Sequence, residues 1–567
     1  MPEMILPGVY IEVRPEGLIV PGQVSVGNVG VVGTASRGPV GVPTLVGSYE
    51  QARQVFGGPD AWDPANPDDV LTLSRALQLV FAHGANTVFA VRVAGGGVGT
   101  PDAQGLIQGE ASIALASATG TSVRLRARTP GAWGNAITVK VGDADGPAVV
   151  EDEEHTVGGG PVTLAHSPVA ESARARVRVV EDATGIVRDR RVVYGAGGGA
   201  PPADAVRINP GNGELTFGGT PPAASDVVRA TYLVPAAQAV KVTVRYGAVE
   251  ESYTVVNGDD LVSDVNDGPG SSVLVKALPG NQSDEQPTRS AGGDFAPLQG
   301  GDDGLAGADY AGGLDTLLSV DAHIVVGAGR NDTGTFAAAL AAHCDQASTD
   351  TYRRDRIGVV GSRPGATLDQ LVGHAVDSDR VLFVAPGILA RDPASGEDVS
   401  LPGAYAAAAV AGKLSSLSPH VSLTNRTLAV AGLTQEFDPA ALTQLVKARV
   451  LVLERRQGFR VVKGITTSTG SAFAQVTTRR IVDYAKYGVR SSALPYIGLL
   501  NNERVRGAMH ATINTFLDGM VKDEMLVGYQ LAVTATREEE RQGIARVTMT
   551  LQPTFSIDYV KVTMFLE

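Results

Sequence analysis

The stretch "SIDYVKVTMFLE" (556–567) closes the chain and poses its main structural question. Val560, Val562, Met564 and Leu566 fall on one side of an extended segment, with Tyr559, Lys561, Thr563 and Phe565 on the other. That alternation is the pattern of a buried strand. Terminal residues fray unless something ties them down, so such a strand needs a partner. Upstream of Pro553, "YQLAVTAT" (529–536) and "IARVTMTLQ" (544–552) read as a hairpin joined across "REEERQG". The third strand is left over.

The other end mirrors it. In "GVYIEV" (8–13), Val9, Ile11 and Val13 alternate with Tyr10 and Glu12. Pro7-Gly8 and Pro15-Glu16-Gly17 bracket this stretch, and Pro21-Gly22 precedes the apolar run "VGVVGTA" (29–35). A short strand therefore sits on a Pro/Gly-punctuated leash, which spans up to roughly 33–36 Å for about ten residues. Two readings follow: both strands fold back onto their own sheets, or each adds to the sheet of another copy. The leashes favour exchange, because a strand meant for its own body needs no tether.

A chain of 567 residues is too long for one core and implies about three domains. Its 69 Gly and 32 Pro point to many turns and short strands. A net charge of −13 and the lack of a Lys/Arg-rich run argue against nucleic acid as the main partner. Cys344 is the single cysteine, which rules out an intramolecular disulfide and thiolate metal clusters. The N-terminus has no basic stretch ahead of an apolar run, so no signal peptide is expected. No apolar stretch approaches the roughly 20 residues that span a bilayer, and no direct membrane insertion is expected. Synthesis in the cytoplasm is expected.

Residues 23–95 read as α/β. A strand at Asn28–Thr34 is followed by a short helix that Ser48 caps, a helix in "VLTLSRALQLVFAHG" and a strand in "TVFAVRVA". From "AGGGVGT" to about residue 300 the text changes to short β-like runs, Gly clusters and acidic turns, read as an inserted sandwich-like region. Helices and strands resume near Tyr310, with strands in "HIVVGAG", "DRIGVVG" and "RVLFVAPG" and a small-residue helix in "GAYAAAAVAGKL". The expected fold is α+β and multidomain: a discontinuous α/β core, an inserted β-rich domain and two terminal strand arms. Its expected divisions are an arm and linker at 1–22, core segments at 23–100 and 301–450, the insertion at 101–300, a C-terminal domain at 451–552 and an arm at 553–567.

Little in the sequence points to catalysis. The eight histidines are scattered, and no pair has zinc-helix spacing. His343 and Cys344 are neighbours on a helix and point about 100° apart, which favours a buried helix over a thiol nucleophile. "HIVVGAGRNDTG" (323–334) lacks both phosphate-loop registers. "EDEEH" (151–155) reads as a solvated turn, and "TREEERQG" as an exposed hairpin tip. No catalytic residue, metal site or cofactor is expected.

The best helix covers "NNERVRGAMHATINTFLDGMVKDEML" (501–526), with Asn501 or Asn502 as N-cap and Val505, Met509, Ile513, Phe516 and Met520 at helical spacing. Arg504 and Arg506 lie near its start and Asp518, Asp523 and Glu524 near its end, the wrong way round for the helix dipole. Either surface charges are tolerated there or a charged partner offsets the penalty.

"PGVYIEV", "RGPVGVPTLVGSYEQARQVFG" (37–57), "PGAWGN" (130–135), "YGVRSSALPYIGLLNNERVRGAM" (487–509) and "TMTLQPTFSIDYVKVTMFLE" (548–567) together resemble the tail sheath proteins of contractile phages and contractile injection systems. The resemblance covers roughly 1–60, 120–140 and 300–567, and the insertion departs from it. It implies a structural protein that forms six-fold rings stacked around an inner tube, with arms completing sheets in neighbouring subunits. Contraction then drives the tube through a target envelope, in a virion tail or injection particle that also holds baseplate and terminal cap proteins. On this reading Val9, Tyr10, Ile11 and Val13 anchor one arm, and Val560, Val562, Met564 and Leu566 the other. Gly17, Pro21 and Gly22 form the hinge, and Arg504 and Arg506 face the tube. The alternative is a non-contractile baseplate or lattice component with the same strand exchange.

Overall fold

The structure, a computed structural model, describes residues 27–67, 69–102, 106–157 and 161–565. The chain forms two compact units. One holds Val40–Gly95 and Leu305–Glu567 together with the chain up to Ala35, and the other holds Ser36–Pro39 and Gly96–Gly304. The N-terminal arm residues Val9, Tyr10, Ile11 and Val13, the hinge Gly17, Pro21 and Gly22, and Leu566 lie outside the described residues.

The first unit is built on a nine-stranded sheet in the order Thr44–Val46, Val88–Arg92, Val29–Gly33, Ile324–Asn331, Ile357–Gly361, Val381–Ala385, Leu451–Arg455, Phe459–Val461, Thr427–Leu428. The pairings from Val88–Arg92 through Leu451–Arg455 are parallel. Val29–Gly33 is the seam of the discontinuous core: Val29 pairs with Val88 on one side and with Ile324 on the other. The chain leaves the sheet after Arg92, builds the second unit, and returns beside the strand it began with.

Strands such as "VGVVG", "IGVVG" and "VLFVA" are buried along their whole length, because helices cover both faces of the sheet. Leu73–Ala82 and Gly403–Ser415 pack on one face, and Tyr310–Leu317, Phe336–Ala347 and Pro439–Lys447 on the other. The small residues of Gly403–Ser415 permit close helix contact. A Cβ on Gly412 would sit 2.3 Å from the carbonyl oxygen of Val80.

The second unit is β-rich. A seven-stranded sheet (Ala148–Thr156, Val227–Val234, Arg176–Val180, Val187–Tyr194, Ala205–Ile208, Glu214–Phe217, Val162–Thr163) has its own apolar cluster. A four-stranded and a three-stranded sheet share another cluster, around Trp133, Ile137 and Leu125. Hairpins turn at Val180–Val187 and Ile208–Leu215. "EDEEH", expected as a turn, lies instead within the strand Ala148–Thr156. Its carboxylates meet Arg229 on the adjacent strand, at Glu154, and Arg178 on the strand beyond, at Asp152, so a charged run serves as an edge strand.

In the first unit one ion pair is fully buried. Arg75, on Leu73–Ala82, donates from Nε and Nη2 to Asp392 Oδ1 at 3.1 and 3.0 Å, and to the carbonyls of Leu71 and Asp60. Asp392 also accepts from the Ser395 amide and hydroxyl. The pair ties the hairpin Ile388–Arg391/Asp398–Leu401 to the helix. Removing one member leaves a buried charge uncompensated, so Asp392→Ala is expected to cost about 3–5 kcal/mol. Urea unfolding should show a lower midpoint at unchanged slope.

Candidate assembly interface

The C-terminal part of the first unit has its own core, formed by Ile481, Ala485, Met509, Ile513, Leu517, Met520, Met525 and Leu526. Two helices supply it, Val476–Ala493 and Glu503–Lys522. They meet where Phe516 lies against Gly488, whose missing Cβ would fall 1.8 Å from the Phe516 ring, and where Phe516 stacks on Tyr484 at 5.7 Å. Asn502 caps the second helix by accepting from the Val505 amide at 2.9 Å.

On these helices lies a two-stranded sheet, Leu526–Thr534 paired antiparallel with Arg546–Pro553. Tyr529, Leu531, Val533, Val547 and Leu551 face the helices, while Gln530, Thr548, Thr550 and Gln552 face out. The tip "REEER" is a short helix, Arg537–Arg541, with Thr536 and Glu539 in a capping box. Among the described residues neither outer edge of this sheet carries a third strand. Both edges therefore present backbone donors and acceptors to any extended segment of matching length.

Residues 554–565 form no helix or strand and, among the described residues, pair with none. Val560, Val562 and Met564 are 80, 72 and 85% exposed. The strand pattern of the sequence is thus unfilled within the protomer. Exposed apolar surface continues at the bend between the two helices, with Leu494, Ile497, Leu499 and Leu500.

Arg504 is exposed on the second helix. Arg506 Nη1 donates to Glu540 at 2.9 Å and to Asn501 Oδ1 at 2.9 Å, and its side chain is 14% exposed. Within the chain it fastens the helix to the hairpin tip. The dipole mismatch is also smaller than the sequence implied. Glu503 precedes Arg504 in the first turn, Lys522 occupies the last, Asp523 is the cap residue and Glu524 lies beyond it.

Sequence reasoning missed the helix Val476–Ala493, and with it the joint to the α/β core. Arg479 bonds Asp379 at 3.0 Å and Asp483 at 2.7 Å. Arg380, before Val381–Ala385, reaches Asp483 at 2.9 Å and Asp355 at 3.3 Å. Asp355 also takes Arg490 at 2.8 Å, and Lys486. Arg480, buried, donates to the carbonyls of Leu417 and Ser418 just past the Gly403–Ser415 helix. Charge and hydrogen bonding join the two parts of this unit.

Residues 303–467 match the phage tail sheath protein central domain, and residues 468–567 match the phage tail sheath C-terminal domain. The chain belongs to the phage tail sheath family. This sheath protein shares its fold with the sheath tail protein of Desulfitobacterium hafniense, at 14% identity and a TM-score of 0.55, covering 96% of this chain and 100% of that one. It is similar also to the sheath tail protein of Listeria innocua, at 13% identity and a TM-score of 0.53, covering 94% and 96%. No curated protein matches the chain. As a sheath protein it is structural and not an enzyme. Among the described residues no group of three or more His, Cys, Asp or Glu is arranged to hold a metal ion, and no helix is long and apolar enough to cross a membrane.

His343 and Cys344 are buried on the helix Phe336–Ala347. Burial pushes the Cys344 thiol up to about 12, which leaves it protonated and unreactive near neutrality. Burial also holds His343 down to about 3, and Arg356 Nη1, which can only donate, lies 3.1 Å from its Nε2. The unfolded chain takes up a proton here that the folded chain refuses, so this contribution is complete above about 6.5 and is lost as pH falls toward 3. His323, held at about 4 by burial, acts in the same direction. Urea midpoints should therefore fall between pH 6.5 and 4, and His343→Gln, which keeps an acceptor for Arg356, should flatten that slope.

Proposed function

We propose that this sheath protein polymerises as stacked hexameric rings around an inner tube and contracts to drive the tube through a target envelope. The 553–567 segment and the 1–22 segment act as arms that add strands to the hairpin sheets of neighbouring copies. One observation carries this reading. Among the described residues, the chain holds a two-stranded sheet with open edges and, a few residues on, an exposed strand-patterned segment that pairs with no strand. The helices cover one face of this sheet, and the backbone groups at its edges gain partners from further strands. Strand addition supplies several main-chain hydrogen bonds, each worth about 0.5–1.5 kcal/mol net, with apolar side chains entering alternately.

Val560, Val562, Met564 and Leu566 are the anchors of the C-terminal arm, and Val9, Tyr10, Ile11 and Val13 those of the N-terminal arm. Gly17, Pro21 and Gly22 give the latter its hinge. Arms of this kind keep copies connected while their bodies exchange contacts, so the lattice stores its energy in subunit packing and needs no nucleotide or cofactor. The partners are other copies of the chain, the tube protein, and baseplate and terminal cap proteins, in a virion tail or injection particle assembled in the producing cell's cytoplasm. Nucleic acid is not among them. The exposed Leu494–Leu500 bend adds to the apolar surface that a lone protomer leaves uncovered. Arg504, exposed on the terminal helix, is the candidate for an acidic tube surface.

A chain ending at Tyr559 is expected to fold with an unchanged melting profile but to form no sleeves when co-expressed with the tube, as seen by negative-stain microscopy. Sleeves of normal length would contradict strand donation, and a flat lattice from the full chain would favour the baseplate or lattice reading. Arg504→Glu should lower the yield of tube-templated sleeves without changing stability. An unchanged yield would remove Arg504 from the tube contact.

A further inference from the structure

The exposed arm is interrupted by one buried group. Asp558, on a segment whose neighbours Ile557 and Val560 are 83 and 80% exposed, has a side chain only 9% exposed. Four donors converge on its carboxylate: Lys463 Nζ at 3.3 Å and Gln475 Nε2 at 3.1 Å on Oδ2, and Thr424 Oγ1 at 3.4 Å and Ser556 Oγ at 3.1 Å on Oδ1. Tyr559 completes the contact, its hydroxyl 3.3 Å from Lys463 Nζ and its ring centroid 5.0 Å from the same ammonium. The receiving groups are themselves fixed. Thr424 Oγ1 accepts from the Gly464 amide at 3.1 Å, and Gln475 is the N-cap residue of the Val476–Ala493 helix.

We propose that Asp558 and Tyr559 form a clamp that fastens the base of the C-terminal arm to the α/β core and sets the point and direction from which the donated strand departs. This rests on the reading of the arm as a donated strand. The clamp moves the origin of the arm from Pro553 to Val560. Each residue beyond the clamp adds about 3.3–3.6 Å of reach when fully extended. Tension in the arm passes at Asp558, five residues beyond Pro553, into Thr424, Lys463 and Gln475, so the protomer's own sheet is not peeled when a neighbour pulls. Charge-assisted hydrogen bonds and a cation–π contact suit that duty, being directional and holding a short segment in one orientation.

The clamp is tested in the full-length chain before assembly, by electron spin–spin distance measurement between labels on Ser418→Cys and Lys561→Cys; the native Cys344 is buried and takes no label. A narrow distance distribution is expected, lost in Asp558→Asn and in Lys463→Met at unchanged thermal melting. A broad distribution in the parent chain, or an equally narrow one in both variants, overturns the proposal. In co-expression with the tube, Asp558→Asn should lose ordered sleeves, whereas sleeves of native yield and pitch overturn the proposal. The two readings fail separately. Sleeves from the chain ending at Tyr559 refute strand donation, and an inert Asp558→Asn beside a non-assembling truncation refutes only the clamp.

Discussion

The rest of the structure depends on an unfinished sheet. Leu526–Thr534 and Arg546–Pro553 satisfy one another's inner backbone groups and, among the described residues, leave both outer edges open. Natural proteins usually blunt such edges with charge, proline or cover. Here Thr548, Thr550 and Gln552 face out, side chains that neither repel a strand nor block one. The sheet is kept in shape by the helices beneath it, through an apolar cluster separate from those of the α/β core. On the proposed reading, the open-edged platform and the strand-patterned segment after it are the two halves of one contact between copies.

The attachments behind that platform suit repeated loading. Arg380, Arg479, Lys486 and Arg490 share Asp355, Asp379 and Asp483 across the joint, so loosening any single pair leaves others in place. Breaking a buried charge pair costs several kcal/mol because the remaining partner is stranded. This makes the joint stiff on the scale of a folded domain. Motion in a lattice of such copies is then confined to the surfaces between bodies and to the arms.

Much of this was legible in the residues. Fully apolar runs marked the parallel strands, Ser48 and Asn502 marked helix starts, and the switch to Gly-punctuated short strands after Arg92 marked the inserted β-rich unit. The alternation in 560–564 was legible too, although no strand forms there within the protomer, since a pattern states what a partner would bury and not where that partner lies. The helix Val476–Ala493 escaped because it begins with Val476, Thr477 and Thr478, carries Gly488 in its middle, and buries Arg479 and Arg480 where an apolar stripe was sought. The ion pair of Arg506 was not legible, because its partner Glu540 lies 34 residues away. The Asp558 clamp was hidden likewise: Thr424, Lys463 and Gln475 come together only in the folded chain.

Cysteine cross-linking in assembled sleeves tests strand exchange most directly. Val562→Cys on the arm, combined in turn with Thr548→Cys or Gln530→Cys on the two hairpin strands, probes both open edges while the native thiol stays buried. Mild oxidation should give a ladder of covalent multimers on a denaturing gel for at least one pairing. Cross-linked monomers alone, with no ladder from either edge, would mean that each arm lies on its own protomer and would contradict the account.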